Sequence, residues 1–350
     1  MMRVTNVRTP RAVRTSRVRT IVAGSVCVIG ALALNACATS RPEGMAPPVT
    51  PAPAATNAAA TPAPAAPGAA ATPATPAAGA TPAPPAPPAP PPPRRQIATA
   101  RDGTKISYDV EGTGPALMLV HGGGQTGRSW RERGYVEKLR GQFTVITMDL
   151  RGSGDSGKPA TPDAYALDRV LDDLTAVADA AKAPRFHLWG FGHGATIGRY
   201  LAARSPRVIS AVLMSASFGP PLEGVVRDAV AGMRAKWLPL VEQQMAGTLK
   251  VDTLSNSDRA AWDAGVAVSA LALGALSDYP ALEPSAITVP TLWLIGAADT
   301  SAMENVKAYE GKLAGTKVTL KLLNGATYSD SFGRPDPSLA AAVPFFAAGK

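Results

Sequence analysis

From residue 94 onward the sequence predicts an α/β protein: a mostly parallel central sheet with helices on both faces and a helical cap insertion. Three observations carry this. Short apolar runs of strand length alternate with longer segments whose apolar residues recur at helical spacing. Several of those runs are apolar without alternation, as strands buried on both faces must be. One stretch, about 218–286, has helical patterning and no strand, so it interrupts the alternation as a cap.

In order, Gln96–Ala100 and Lys105–Glu111 flank Asp102-Gly103 and read as a hairpin. Ala116–Val120 is a continuous apolar strand running into His121-Gly122-Gly123-Gly124. Trp130 to about Leu139 reads as a helix and Phe143–Met148 as the next strand. Leu167, Val170, Leu171, Leu174 and Val177 mark a helix over Tyr165–Ala181. Phe186–Trp189 is a short strand, followed by a glycine-rich turn and a helix over His193–Arg204. Val208–Met214, Thr291–Ile295 and Lys317–Leu323 complete the sheet. No internal repeat of fixed period is visible.

The front of the chain reads as an address. Arg3, Arg8, Arg11, Arg14, Arg17 and Arg19 precede an apolar run over Ile21–Leu34, the n-region and h-region of an export signal. The run closes on Leu34-Asn35-Ala36-Cys37, which resembles the lipobox of bacterial lipoproteins. That resemblance implies removal of residues 1–36, acylation of Cys37 and a place in the cell envelope, and Ala38 resembles the residue of lipoproteins sent to an outer membrane. The alternative is an uncleaved anchor with Cys37 an ordinary thiol. Residues 37–93 form an Ala/Pro-rich disordered tether: 19 of the 53 residues from 41 to 93 are proline and 20 are alanine. Polyproline II at about 3.1 Å per residue gives a reach on the order of 160 Å.

Charge and composition exclude several functions. The formal charge of +9 belongs mainly to the front end, because from residue 94 there are 28 Lys and Arg against 25 Asp and Glu. A basic nucleic-acid groove has no support. Cys27 and Cys37 are the only cysteines, so the body has neither a disulfide framework nor a cysteine metal site. His121, His187 and His193 are the whole imidazole supply, and no metal, P-loop or dinucleotide pattern appears, so no cofactor is expected. The expected partners are a small molecule and a membrane.

Four motifs in the body resemble the α/β-hydrolase family in order and context. His121-Gly-Gly-Gly124 looks like its oxyanion loop, and Asp149-Leu-Arg-Gly-Ser-Gly-Asp-Ser156 like its D-x-R-G-x-G-x-S turn. Gly190-Phe-Gly-His-Gly194 stands where the family keeps its nucleophile elbow, and Asp299 where it keeps the acid. Acyl transfer on this fold needs a serine on the elbow and a histidine after the last strand. The elbow residue here is Gly192, and no histidine follows His193. Leu323-Asn324-Gly325-Ala326-Thr327-Tyr328 fills the later stretch, with Tyr328 aligned to the missing base. The resemblance implies Gly122, Gly123 and His193 as oxyanion or ligand donors and Asp299 as a retained acid. Asp299 either hydrogen-bonds the Tyr328 hydroxyl or caps the helix that follows it. His121 is expected to brace its loop, His187 to sit in the core, and the His193 ring to point away from Asp299.

Three readings follow. One is a catalytically degenerate family member acting by binding a small carbonyl- or carboxylate-bearing ligand. Another is an active, ester-type hydrolase or cofactor-free enzyme with a non-standard catalytic set. The third is a folded plug in the envelope. Trp237, Met245 and Trp262 of the cap either line a pocket or fill a core, and their helical spacing favours the core.

Overall fold

The computed structural model describes residues 95–348, so the signal segment, Cys37 and the proline-rich tether lie outside the described residues. Within them eight strands form one sheet in the order β1-β2-β4-β3-β5-β6-β7-β8. These are β1 (Gln96–Thr99), β2 (Lys105–Glu111), β3 (Ala116–Val120), β4 (Thr144–Met148), β5 (Phe186–Phe191), β6 (Val208–Met214), β7 (Thr291–Gly296) and β8 (Val318–Leu323). β1/β2 and β2/β4 pair antiparallel, and every later pairing is parallel.

Side chains alternate across this sheet with period two and feed two cores. Met118, Val120, Phe186, Leu188, Trp293 and Ile295 enter one core, with helices α3 (Leu167–Ala180) and α4 (His193–Arg204). Leu117, Leu119, Trp189, Phe191, Leu292 and Leu294 enter the other. There they meet α1 (Arg128–Glu132), α2 (Tyr135–Leu139) and the C-terminal α10 (Pro335–Ala348). A sheet buried on both faces explains why its strands read as unbroken apolar runs.

The expected cap is present as α5 (Gly224–Met245), α6 (Asn256–Asp263) and α7 (Val266–Gly274). An antiparallel bridge between Gly219 and Leu282 closes its neck. Trp237 is buried and its ring lies 6.4 Å from that of half-buried Trp262, so these two pack the cap as expected. Met245 does neither thing expected of it, being 54% exposed at the end of α5. Among the described residues no single helix is long and apolar enough to cross a membrane.

Three boundaries differ from expectation by more than one residue or in kind. The helix over Trp130–Leu139 is two short ones, broken at Gly134, whose φ of +78° leaves the helical region. The helix expected from Tyr165 begins at Leu167, because Pro162–Tyr165 forms a separate 3₁₀ turn. β5 continues past Trp189 through Gly190 and Phe191, which pair with Leu213 and Met214. A Cβ on Gly190 would lie 2.5 Å from the Ala195 backbone, so this glycine serves close strand–helix packing rather than the turn.

Candidate functional site

The site lies at the carboxyl edge of β3, β5 and β7 and just beyond β8. His121 follows β3 and is buried. Its Nδ1 donates to the Gly122 carbonyl at 2.8 Å, and its Nε2 accepts from the Leu150 N–H at 3.0 Å. This pattern requires the neutral Nδ1–H tautomer, and burial holds the pKa below the usual 6.5. His121 therefore ties the glycine loop to the turn after β4. That turn is organised by Asp149, a fully buried carboxylate that accepts from the Gly127 N–H at 2.7 Å and the Asp155 N–H at 2.8 Å and pairs with Arg95. Ser156 Oγ donates to the Asp149 carbonyl at 2.6 Å and accepts from the Ser107 N–H at 2.9 Å. Arg151 forks onto Asp173 with two bonds of 2.6 Å. Asp149, Arg151, Asp155 and Ser156 of the D-x-R-G-x-G-x-S turn are thus all engaged in structure.

Of the two loop glycines named as donors, Gly122 is a correction. Its N–H donates to Gln125 Oε1 at 3.1 Å and so is used inside the loop. The Gly123 and His193 N–H groups have no acceptor among the described residues. They are neighbours, since a Cβ on Gly123 would lie 3.9 Å from the His193 Cβ. Leu273 of α7 lies over the same spot, 3.2 Å from that Cβ position, so the cap rests on the loop. Nothing in the sequence marked Leu273, because the contact joins residues far apart in the chain.

Gly192 is the cap residue of α4, with φ +49° and ψ −111°. The chain bends sharply here at a positive φ that glycine, lacking a Cβ, adopts readily. Tyr328 is the first residue of α9 (Tyr328–Gly333). Its hydroxyl lies 2.2 Å from where a Cβ on Gly192 would be. Burial, with Asp299 adding to it, pushes the Tyr328 phenol above its ordinary pKa, so at neutral pH it is a donor and not a base. The structure thus brings Gly192 and Tyr328 together and puts Asp299 in their electrostatic range.

Asp299 does not hydrogen-bond the Tyr328 hydroxyl. Its carboxylate accepts from the Ala302 N–H at 3.1 Å, capping α8 (Thr300–Tyr309). That is the capping alternative, with the physical reason that the first turn of a helix leaves its N–H groups free. Burial raises its pKa, partly offset by bonds from backbone N–H groups. His193 is pushed down to about 3 by burial and by nearby His121, so it is neutral and a weak base. His187 is a core residue: its Nδ1 lies 2.8 Å from Ser210 Oγ, with the ring against Phe143 and Phe346.

One further residue has no signal along the chain. Ser215, just after β6, has φ +56° and a buried hydroxyl with no hydrogen-bond partner among the described residues. Only backbone geometry marks it. Among the described residues no group of three His, Cys, Asp or Glu could hold a metal ion. A cavity of about 250 Å³ lies where the cap meets the 3₁₀ turn before α3, lined by Leu167, Arg234, Leu271, Asp278 and Tyr279 among others. Gly123, Gly192, His193 and Tyr328 do not line it.

Residues 115–260 match the family model for the alpha/beta hydrolase fold. The chain is 32% identical over 125 residues to an epoxide hydrolase 3 of Siraitia grosvenorii, covering 35% of this chain and 39% of that one. It is 30% identical over 118 residues to a pyrrolizixenacetamide deacetylase of Xenorhabdus hominickii, covering 33% and 42%. A fluoroacetate dehalogenase of a Burkholderia species is 34% identical over 115 residues, covering 32% and 37%. The chain thus spans only about two fifths of the length of these curated relatives. A thermophilic esterase from Thermogutta terrifontis superposes with a TM-score of 0.56 at 19% identity, over 73% of this chain and 99% of that one. An epoxide hydrolase from Vigna radiata gives 0.54 at 17% identity, over 73% and 98%. These two likenesses speak to fold, and they agree with the mostly parallel sheet. The described part of the chain has the α/β-hydrolase fold.

Proposed function

We propose that this chain is a catalytically degenerate α/β-hydrolase-family protein that binds a small carbonyl- or carboxylate-bearing ligand at the carboxyl edge of its sheet. We take the body to be held at a membrane of the cell envelope by acylated Cys37 and the tether that follows it. The observation that carries the reading is Gly192: an elbow bent as for a nucleophile, with no side chain on it and a protonated phenol in the space above. Attack on a carbonyl needs a lone pair activated by a base, and Gly192, Tyr328 and His193 supply neither. Binding needs only donors. The Gly123 and His193 N–H groups stand at the positive end of α4, where a carbonyl oxygen or carboxylate is favoured. The Tyr328 hydroxyl is a further donor close by.

A second reading is an active ester-type hydrolase or cofactor-free enzyme working through Asp299 and Tyr328. It is favoured by the activities in the names of the curated relatives and by the retained carboxylate. One experiment separates the two. The full chain in detergent is assayed on short and medium acyl esters beside Asp299→Ala, and its melting is followed with millimolar carboxylates and ketones beside Gly123→Pro. Degeneracy predicts no turnover above Asp299→Ala, and ligand-induced stabilisation that disappears when proline removes the Gly123 N–H. Turnover that Asp299→Ala abolishes overturns it. For the tether, Cys37→Ala is expected to release the protein from the membrane fraction and to end labelling with a clickable palmitate. Unchanged fractionation sinks the lipid anchor.

A further inference from the structure

We infer that Gly192 and Tyr328 form an interlocked pair: the tyrosine hydroxyl is the fixed occupant of the nucleophile's volume, and any side chain at 192 requires a change at 328. The inference concerns the same site as the proposed function, but it does not depend on the protein being inactive.

The steric side of the lock is direct. A Cβ at position 192 would lie 2.2 Å from the Tyr328 hydroxyl oxygen, 3.3 Å from Cζ and 3.7 Å from Cε2. The first distance is far inside van der Waals contact and the other two are near or within the ordinary range. The conflict therefore belongs to one atom, the phenolic oxygen. A serine would place its Cβ against that oxygen and its hydroxyl one bond further on.

The overlap could be relieved if Tyr328 were free to swing aside, but it is held on two sides. Its ring lies 4.9 Å from that of Phe191, which stacks on Phe332 at 4.5 Å and 12°. Phe332 in turn packs edge-on against Trp130 at 4.8 Å. Phe191, Phe332 and Trp130 belong to the buried core against β5, where a shift of one must be passed to the next, and half-buried Tyr328 packs against it. On the backbone side Thr327 caps α9 with a reciprocal pair of bonds. Its Oγ1 accepts from the Asp330 N–H at 3.2 Å while Asp330 Oδ2 accepts from the Thr327 N–H at 3.1 Å. Ser331 Oγ adds a bond of 2.9 Å to the Thr327 carbonyl. The tyrosine thus leaves a capped helix start and runs along a stacked aromatic wall to end over Gly192.

The two departures from the family's triad, which look separate along the chain, are one structural event in space. With Tyr328 present, position 192 admits only glycine. With glycine at 192, the space above the elbow is open for a phenol to fill.

A double-mutant cycle in melting temperature tests this on the full chain, comparing Gly192→Ala in the native background with Gly192→Ala in a Tyr328→Phe background. Alanine bears the cost of φ +49° equally in both, so that cost cancels. The Tyr328→Phe change removes the clashing oxygen and leaves the ring. The expected result is a loss on Gly192→Ala about 4 °C or more larger in the native background than in the Tyr328→Phe background, the size of one overpacked contact in a domain of this length. Insolubility of Gly192→Ala in the native background alone is the same result in stronger form. Equal losses in the two backgrounds, insolubility in both included, overturn the interlock. The ester assay on the native chain reads the proposed function separately, so either idea can fail alone.

Discussion

The two halves of the site's edge are built differently. On the β3/β4 side, His121, Asp149, Ser156 and Ser107 form a buried network whose bonds run between 2.6 and 3.0 Å. On the β5/β8 side the elbow glycine meets a tyrosine through close approach and packed rings, and no hydrogen bond joins the two residues. The first half ties the glycine loop to the turn after β4, and the second sets a phenol over a bent glycine. One half is joined by buried hydrogen bonds and the other by packing alone. A polar network is costly to break because each lost partner strands another buried group, whereas replacing a reactive side chain strands nothing.

The sharpest way to break this comparison is Asp149→Ala. It leaves the Gly127 and Asp155 N–H groups without their acceptor and takes from Arg95 one of its three carboxylate partners, and each buried donor left unsatisfied costs about 1–3 kcal/mol. The expected outcome is a grossly lowered urea midpoint or an insoluble protein. A change under about 1 kcal/mol would mean that the turn is not a structural network.

The opposite half is predicted to accept rebuilding. Gly192→Ser with Tyr328→His restores a nucleophile, a base and, in Asp299, an acid. It is expected to give ester turnover about 10²-fold or more above either single variant, which is the usual worth of a positioned base. Turnover no greater than in the singles would mean that Asp299, committed to capping α8, no longer orients a base.

The smallest effect is electrostatic. Burial lowers the pKa of both His121 and His193 below 6.5, His193 to about 3. The unfolded chain therefore takes up protons at these positions first, and the neutral rings contribute stability that is full above about pH 6.5. That contribution declines as the pH falls through 6.5 toward 3. His193→Gln is expected to lose less melting temperature than the native chain between about pH 7 and about pH 4. Parallel curves for the two proteins would place His193 in a solvated setting instead.

Much of this molecule was readable before its structure. Every predicted strand is present with its bounds shifted by at most two residues, because a strand buried on both faces leaves an unbroken apolar run in the chain. The cap was legible as the stretch where strands stop, and Gly192, Asp299 and Tyr328 were located by their places after β5, β7 and β8. Gly134 broke a helix that propensity alone would continue, and Gly122 proved committed to Gln125. Leu273 on the loop and the strained Ser215 left no mark along the chain.

Thus the succession of strands, the cap, the glycine at 192 and the lack of any histidine after His193 were all determined by the sequence alone, since periodicity and residue identity are local properties. That the phenol lies over Gly192, that Asp299 caps a helix rather than meeting Tyr328, and that the cap rests on Gly123 were decided only in three dimensions. Each of these is a distance between groups far apart in the chain, set by how α9 starts, how the aromatic wall stacks and how α7 crosses the sheet edge.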